Sequence, residues 1–212
     1  IARRIGSCKG VPVRIIGGSR RGRKLVEWDQ PGIRPMRDFV RTALFNIIED
    51  FVPGARFLDL FCGTGSVGLE ALSRGASLCV FVDRSPEACG IVRRNLDALD
   101  FLDEGRVLEG DAFQLLVEMN RLGRRFDLVF VGPPYGQGLA PRALDGLGEG
   151  TLLGADGVVI AEIHHTESLS DTYGVLDRVD HRRYGDNELH FYRRGIRPDG
   201  TFLEEDEAWA NG

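Results

Sequence analysis

The sequence predicts an α/β protein in which helices cover both faces of a mostly parallel, seven-stranded sheet that ends in an antiparallel hairpin. From residue 56 onward, short apolar runs alternate with helical patterns, which is typical of parallel strands joined by helices. The run Leu128-Val-Phe-Val has no polar alternation, so we expect this strand to be buried on both sides. The 28 glycines are scattered between such runs and indicate many turns.

The N-terminal part predicts a short hairpin followed by one helix. Residues 13–16 are predicted to form a strand, and residues 24–26 are its expected partner across a glycine-rich turn. A helix is expected to begin at Asp38 and to stop before Pro53-Gly54. Its apolar residues recur on one helical face, namely Val40, Ala43, Leu44, Ile47 and Ile48.

The rest of the chain alternates between the two kinds of element. The predicted strands cover 56–60, 78–82, 106–109, 126–131 and 158–163. The predicted helices cover 66–74, 86–99, 112–122 and about 140–152. A hairpin of residues 175–184 and 188–193, joined at Gly185-Asp-Asn, completes the predicted sheet.

Length and composition predict three segments within the 212 residues. Residues 1–35 form a basic N-terminal extension or hairpin, 36–195 a single α/β domain, and 196–212 an acidic tail that we expect to be disordered. No stretch of 18 apolar residues predicts a membrane span, and the Arg/Gly-rich beginning is not typical of a signal peptide. The four cysteines lack paired spacing, which favours reduced cysteines in a cytoplasmic protein without a zinc site.

The charge of the chain is distributed unevenly. Residues 1–41 carry eleven basic and three acidic side chains, whereas the whole chain has a formal charge of −5. A basic segment on an acidic body indicates a polyanionic partner, and arginines interleaved with glycine favour nucleic acid, although a segment kept for solubility has the same pattern. The residues expected to contact phosphate are Arg14, Arg20, Arg21, Arg23, Lys24, Arg34, Arg37 and Arg41.

A glycine-rich loop follows the first strand of the main sheet. Gly63, Gly65 and Gly68 satisfy the pattern Gly-x-Gly-x-x-Gly, which alone is a weak signal and is also found in NAD-binding proteins. Asp59 comes just before this loop, where a carboxylate would repel a pyrophosphate and attract an ammonium group.

Two further acids follow the next two strands. Asp83 is placed for a ribose diol, and Asp111 for an adenine ring. Each acid taken singly could be a strand-end or helix-cap residue. Three acids at the carboxyl ends of three strands of one sheet instead favour a ligand-binding site. S-adenosylmethionine has an amino-acid head, a ribose and an adenine without phosphate, and it fits all three.

The segment Gly132-Pro-Pro-Tyr follows the fourth strand, at the edge where parallel sheets place ligands. Pro133 and Pro134 fix the backbone, so the Pro133 carbonyl is expected to point at a hydrogen-bond donor. The ring of Tyr135 is then fixed in place and offers a surface on which another aromatic ring can stack. A proline-rich turn with a surface tyrosine is the alternative.

These motifs together resemble the bacterial 16S ribosomal RNA guanine-N2 methyltransferase family, which has a Rossmann-like class I methyltransferase fold. The similar stretches span about residues 13–195 in the family's order, and they begin at Arg14, Arg34, Phe57 and Phe126. The resemblance implies methyl transfer from S-adenosylmethionine to the N2 amine of a guanine in 16S rRNA, naked or within a small-subunit assembly intermediate. It places the cofactor against Asp59, Phe61, Gly63, Thr64, Gly65, Ser66, Asp83, Arg84, Asp111 and Ala112.

One position departs from the family's pattern. The family has Asp or Asn before Pro-Pro-Tyr, and this chain has Gly132, which lacks the side chain that accepts a hydrogen bond from the target amine. Gly132 makes a weakened or silent binding homologue the alternative. The shared Pro-Pro-Tyr motif also leaves a DNA amino-methyltransferase open, and the glycine pattern leaves an NAD oxidoreductase. We expect a monomer, no membrane partner and no metal, because the histidines, among them His164 and His165, lack carboxylate spacing.

Overall fold

The fold is built on one eight-stranded sheet with the strand order β3-β2-β1-β4-β5-β8-β7-β6. The structure is a computed structural model, and it describes residues 13–26 and 36–195. The strands are β1 (Arg56–Leu60), β2 (Leu78–Asp83), β3 (Gly105–Glu109), β4 (Phe126–Val131), β5 (Leu153–His164), β6 (Thr172–Tyr173), β7 (Leu176–Tyr184) and β8 (Asn187–Arg194). The helices are α1 (Asp38–Ile47), α2 (Ser66–Ser73), α3 (Pro86–Ala98), α4 (Ala112–Arg121) and α5 (Leu139–Glu149).

The sheet confirms the predicted α/β class, with two differences. Strands β1 to β5 are parallel, and β8 pairs antiparallel with both β5 and β7 in the C-terminal hairpin. The sheet has eight strands where seven were predicted, because Thr172–Tyr173 pairs with β7 as a two-residue edge strand. Strand β5 begins at Leu153, five residues earlier than predicted, since Leu153 pairs with Phe126 before an irregularity in the register.

Helices cover both faces of the sheet, as the alternation predicted. On one face, α1, α2 and α3 pack on residues such as Phe57 and Phe81. On the other, α4 and α5 pack on residues such as Leu58 and Val129. Strands β1, β2 and β4 are therefore buried on both sides, which explains their apolar runs, whereas β3 at the edge of the sheet is only partly buried. Among the described residues, no helix combines the length and the apolar character that crossing a bilayer requires.

Residues 13–26 fold back on themselves and pack into the domain. Arg14 pairs with Lys24 as an antiparallel bridge, which confirms the short hairpin. Ile15 and Leu25 are 1% and 4% exposed and belong to the same core as α1 and α2. The described part of the basic extension is therefore anchored by apolar burial.

A buried carboxylate fixes this hairpin to α2. Glu70 is fully buried and accepts the N–H groups of Ile16 and Gly17 at 2.7 Å each. Its Oε1 also accepts a hydrogen bond from Arg74 Nε at 2.8 Å. A buried carboxylate is tolerated when donors surround it in this way.

Candidate active site

The loop between β1 and α2 turns sharply beneath the carboxyl edge of the sheet. Phe61, Gly63 and Gly65 all have positive φ, at 64°, 53° and 74°. A Cβ on Gly65 would lie 2.9 Å from Val92, so both the conformation and the space require glycine there. Thr64 and Ser66 are buried beside it. The loop thus brings main-chain N–H groups to the start of α2, where an anion is favoured.

Asp59 lies under this loop with 1% of its surface exposed. Its Oδ2 accepts the N–H of Gly68 at 2.9 Å. Burial, with a smaller contribution from the nearby Asp83, raises the pKa of Asp59 to about 7. A cation placed beside this carboxylate would favour its ionised form and be attracted in turn.

Asp83 and Asp111 lie at the ends of the next two strands. Asp83 Oδ2 accepts the Gly63 N–H at 2.8 Å, and Oδ1 accepts the Ser85 N–H at 2.9 Å. Asp111 is exposed and caps α4 by accepting the N–H groups of Phe113 and Gln114. These bonds use only part of each carboxylate's acceptor capacity, so both acids can also bind a ligand's hydroxyl or amine.

Two neighbours of these acids differ in exposure. Arg84 is exposed at the end of β2, whereas Ala112 is buried as the first residue of α4. The aromatic rings of Phe61 and Phe113 meet edge to face, with their centroids 5.9 Å apart. The predicted cofactor residues therefore lie along one edge, from β1 to β3.

The Pro-Pro-Tyr loop continues the same edge after β4. Pro133 is buried, Pro134 is exposed, and Tyr135 is 43% exposed. The Tyr135 hydroxyl donates to Glu162 Oε1 at 3.1 Å, and Asn187 Nδ2 donates to that hydroxyl at 2.6 Å. Burial and the neighbouring Glu162 raise the pKa of Tyr135, so the phenol stays protonated.

Glu162 and Asn187 contact Tyr135 in the candidate site, and the sequence interpretation did not include them. Glu162 ends an apolar run and Asn187 lies in a hairpin turn, so neither carries a motif. They come together because β5 and β8 pair antiparallel in register. The only sequence signal for Glu162 is an acid placed inside a strand that is otherwise apolar.

Aromatic and basic side chains surround the Tyr135 loop. The rings of Tyr135 and His164 are 5.7 Å apart, and Phe39, which is 50% exposed, meets Tyr184 edge to face. The exposed Arg37 lies near enough to Tyr135 to lower its pKa slightly against the dominant effect of burial. This rim offers stacking surfaces and positive charge.

The basic residues expected to contact RNA divide into four groups. Arg14, Arg21, Arg23, Lys24 and Arg37 are exposed.

Arg20 is partly buried, because its Nε donates to Leu99 O at 2.7 Å and its guanidinium lies over Phe101. Arg34 lies outside the described residues.

For Arg41, the expectation of an RNA contact was wrong. Arg41 is fully buried on the apolar face of α1 and donates hydrogen bonds to Arg14 O and Asp38. It is therefore a packing residue in this structure.

His164, His165 and Asp186 place one ligand atom each within 4.8 Å of one another, which the sequence interpretation did not foresee. The two imidazole rings are tilted by 34° with their centroids 4.4 Å apart, and His164 Nδ1 is hydrogen-bonded to Thr166 Oγ1.

A cavity of about 470 Å³ lies at the opposite ends of the strands, where Arg56, Leu78 and Phe126 line it. It is mostly apolar, with Arg56, Arg106 and Arg124 at its boundary. Ligands of open α/β sheets bind at the carboxyl ends of strands, so we place the active site at the other edge.

A family model described as "Conserved hypothetical protein 95" matches residues 13–193. The chain belongs to this family. Ribosomal RNA small subunit methyltransferase D of Escherichia coli K12 is 35% identical over 150 residues, which cover 71% of this chain and 74% of that protein. The Haemophilus influenzae protein of the same name is 32% identical over 157 residues, which cover 74% and 81%.

A solved structure has the same fold. The structure of a hypothetical protein from Thermus thermophilus matches with a TM-score of 0.75 at 32% identity, covering 85% of this chain and 99% of that one. The family membership and this likeness confirm the resemblance to the 16S ribosomal RNA methyltransferase family and its Rossmann-like methyltransferase fold.

Proposed function

We propose that the chain transfers a methyl group from S-adenosylmethionine to the exocyclic N2 amine of a guanine in 16S ribosomal RNA. The observation that carries the proposal is one continuous edge. Three carboxylates lie at or just after the carboxyl ends of β1, β2 and β3, and the rigid Pro-Pro-Tyr loop follows β4 beside them. A cofactor along the first three strands would present its reactive end to a base held at the fourth.

The residues on the first three strands fit this cofactor. Asp59 would hold the ammonium group, and main-chain N–H groups around Gly63 and Gly65 the carboxylate. Asp83 would accept hydrogen bonds from the ribose hydroxyls, and Asp111 one from the adenine amine. When bound, the cofactor supplies an activated methyl sulfonium.

The residues after β4 would orient the target base. A guanine amine is a weak nucleophile because its lone pair is delocalised into the ring. The Pro133 carbonyl would accept one of its hydrogens and so keep the lone pair directed at the methyl group. Tyr135, fixed by Glu162 and Asn187, would stack on a base that has left its helix.

The exposed basic residues support an RNA partner. Arg37 lies beside the Tyr135 loop, while Arg21, Arg23 and Lys24 extend the positive surface onto the hairpin. We propose that this surface binds 16S rRNA or a small-subunit assembly intermediate through phosphate contacts. We also propose that the protein acts in the cytoplasm as a monomer without a metal ion.

Methyl transfer from labelled cofactor tests the proposal. Naked small-subunit RNA, assembly particles and DNA are supplied in parallel, and the labelled base is mapped. We expect label on a guanine of the RNA, with Tyr135→Ala strongly reduced and the exposed control Val117→Ala unchanged. Label on DNA alone, or none while S-adenosylmethionine still binds, would overturn it in favour of a DNA enzyme or a silent homologue.

A further inference from the structure

Gly132 has no side chain that could accept a hydrogen bond from the target amine. The residue beside Gly132 on strand β5 is an acid, Glu162. Val131 pairs with Ala161 in the parallel register, so Gly132 lies beside Glu162. Phe130 and Ile160, two residues earlier on each strand, belong to the same core face. Because side chains alternate along strands, Gly132 and Glu162 face the same side of the sheet.

The space that a side chain at position 132 would need is filled by Phe130. A Cβ on Gly132 would lie 2.6 Å from Phe130 Cε1, which is shorter than real contacts allow. The backbone itself is not the obstacle, because Gly132 is not among the residues with positive φ. A carboxylate at this position therefore requires a smaller residue at 130.

Glu162 has unused acceptor capacity at the active-site edge. It is 6% exposed, and its hydrogen bonds with Tyr135 and Asn187 both end on Oε1. Among the described residues, no hydrogen bond reaches Oε2. Burial raises the pKa of Glu162, and the two donors on Oε1 oppose that effect by stabilising the carboxylate.

We propose that Glu162 Oε2 accepts a hydrogen bond from the target amine and so replaces, from the neighbouring strand, the side chain that Gly132 lacks. This inference rests on the proposed function. It assigns one amine hydrogen to the Pro133 carbonyl and the other to Glu162.

The transfer balances with these two acceptors. A bond forms between the amine nitrogen and the methyl carbon, while the carbon–sulfur bond breaks and its electron pair stays on sulfur. The amine takes over the positive charge of the sulfonium. It then loses one proton to Glu162 Oε2, which releases that proton to water.

A binding experiment without the cofactor tests the contact directly. Inosine lacks the N2 amine, so a small-subunit RNA fragment is prepared with guanine or inosine at the mapped position. The wild-type chain should prefer guanine by about tenfold, because the hydrogen bond goes to a charged group. Glu162→Gln should reduce that preference several-fold and leave only the part that the Pro133 carbonyl contributes, and an unchanged preference would overturn the proposal.

Kinetics separate a direct role from a role through Tyr135. Glu162→Gln keeps the size of the side chain and an acceptor for the Tyr135 hydroxyl, and we expect kcat to fall about 100- to 1000-fold. Tyr135→Phe removes the hydroxyl and leaves the carboxylate, so its loss should be at least tenfold smaller. Equal losses in the two variants would show that Glu162 only positions the tyrosine.

Rescue from the neighbouring strand is the sharpest arm. The triple variant Gly132→Asp, Phe130→Leu, Glu162→Gln should have a kcat at least tenfold higher than Glu162→Gln alone. The control is the double variant Phe130→Leu, Glu162→Gln, whose kcat should be no higher than that of Glu162→Gln. Absence of rescue in a chain with an unchanged melting temperature contradicts the proposal. A wild-type chain that labels no RNA would instead contradict the proposed function, so the two failures are distinguishable.

Discussion

The carboxyl edge of the sheet has two halves that hold their acids by different means. Along β1 to β3, Asp59, Asp83 and Asp111 accept hydrogen bonds from main-chain N–H groups that lie 2 to 20 residues away. Along β4 to β8, Tyr135, Glu162 and Asn187 bond to one another through side chains that lie 25 to 52 residues apart. We call the first the proposed cofactor half, which local loops define, and the second the proposed base half, which tertiary pairing defines.

This difference separates what a substitution can damage. A main-chain donor remains when a distant side chain changes, so the cofactor half depends mainly on its own loops. In the base half, the side chains of Tyr135, Glu162 and Asn187 are hydrogen-bonded to one another. Removing one of them leaves a buried polar group without its hydrogen-bond partner. Cofactor affinity and base recognition should therefore respond to different residues.

The largest effect in the cofactor half is expected for Asp59→Asn. Burial raises the pKa of Asp59 to about 7 from an ordinary value of 3.8, so the folded chain holds a proton that the unfolded chain releases. Wild-type stability should fall as the pH rises from about 4 to 7. Asparagine carries no charge and can still accept the Gly68 N–H. The variant should be more stable on the order of 2–4 kcal/mol at pH 8, and nearly equal to wild type at pH 4.

Cofactor binding should move the opposite way in that variant. S-adenosylmethionine affinity at pH 8 should fall about 10- to 100-fold, because the ammonium group loses a charged partner. Chemical denaturation at both pH values and calorimetry measure the two effects. A variant that gains stability and keeps full affinity would remove Asp59 from the ligand site.

A middle-sized effect should distinguish Asp83 from Asp111. Asp83→Ala removes the acceptor for Gly63 and Ser85 together with the expected ribose contact, and should cost roughly 1–3 kcal/mol of cofactor affinity. Asp111→Ala removes an exposed helix cap, which typically costs about 0.5–2 kcal/mol of stability. Calorimetry and thermal melting compare the two variants. A larger loss of cofactor affinity in Asp111→Ala than in Asp83→Ala would show that the adenine end dominates binding.

The smallest effect concerns the rim of the base half. Arg37→Gln should weaken RNA binding and make the log–log salt dependence shallower by about 0.7, the value for one phosphate of a single strand. Arg56→Gln, at the opposite edge, is the matched control. Cofactor affinity should stay unchanged in both. A loss of cofactor affinity in Arg37→Gln would contradict the claim that cofactor binding and RNA binding depend on different residues.

The sequence was enough to predict that the residues of the proposed cofactor half share one edge, because its signals are local, and their contacts with the cofactor stay a prediction. The glycine pattern around Gly63 and the acids Asp59, Asp83 and Asp111 all lie at strand ends, and alternation alone places those ends on one edge. Glu162 and Asn187 were not predicted, since their meeting depends on a register that one sequence does not reveal.

Arg41 was misassigned for a related reason. Its charge suggested a surface position, whereas its spacing from Val40 and Leu44 places it on the buried face of α1. Burial lowers its pKa, which the nearby Glu70 and Asp38 oppose. Helical spacing was the better guide to this residue than its charge.

Glu70 also constrains the order in which the chain can fold. A carboxylate withdrawn from water is costly until donors meet it, and its main-chain donors at residues 16 and 17 lie 54 and 53 residues earlier in the chain. Helix α2 cannot complete its packing before that loop closes, and closing a loop of this length has an entropic cost that a local helix does not. During synthesis the hairpin emerges first yet docks only after α2 has been made, which leaves Ile15 and Leu25 exposed to solvent in the interval.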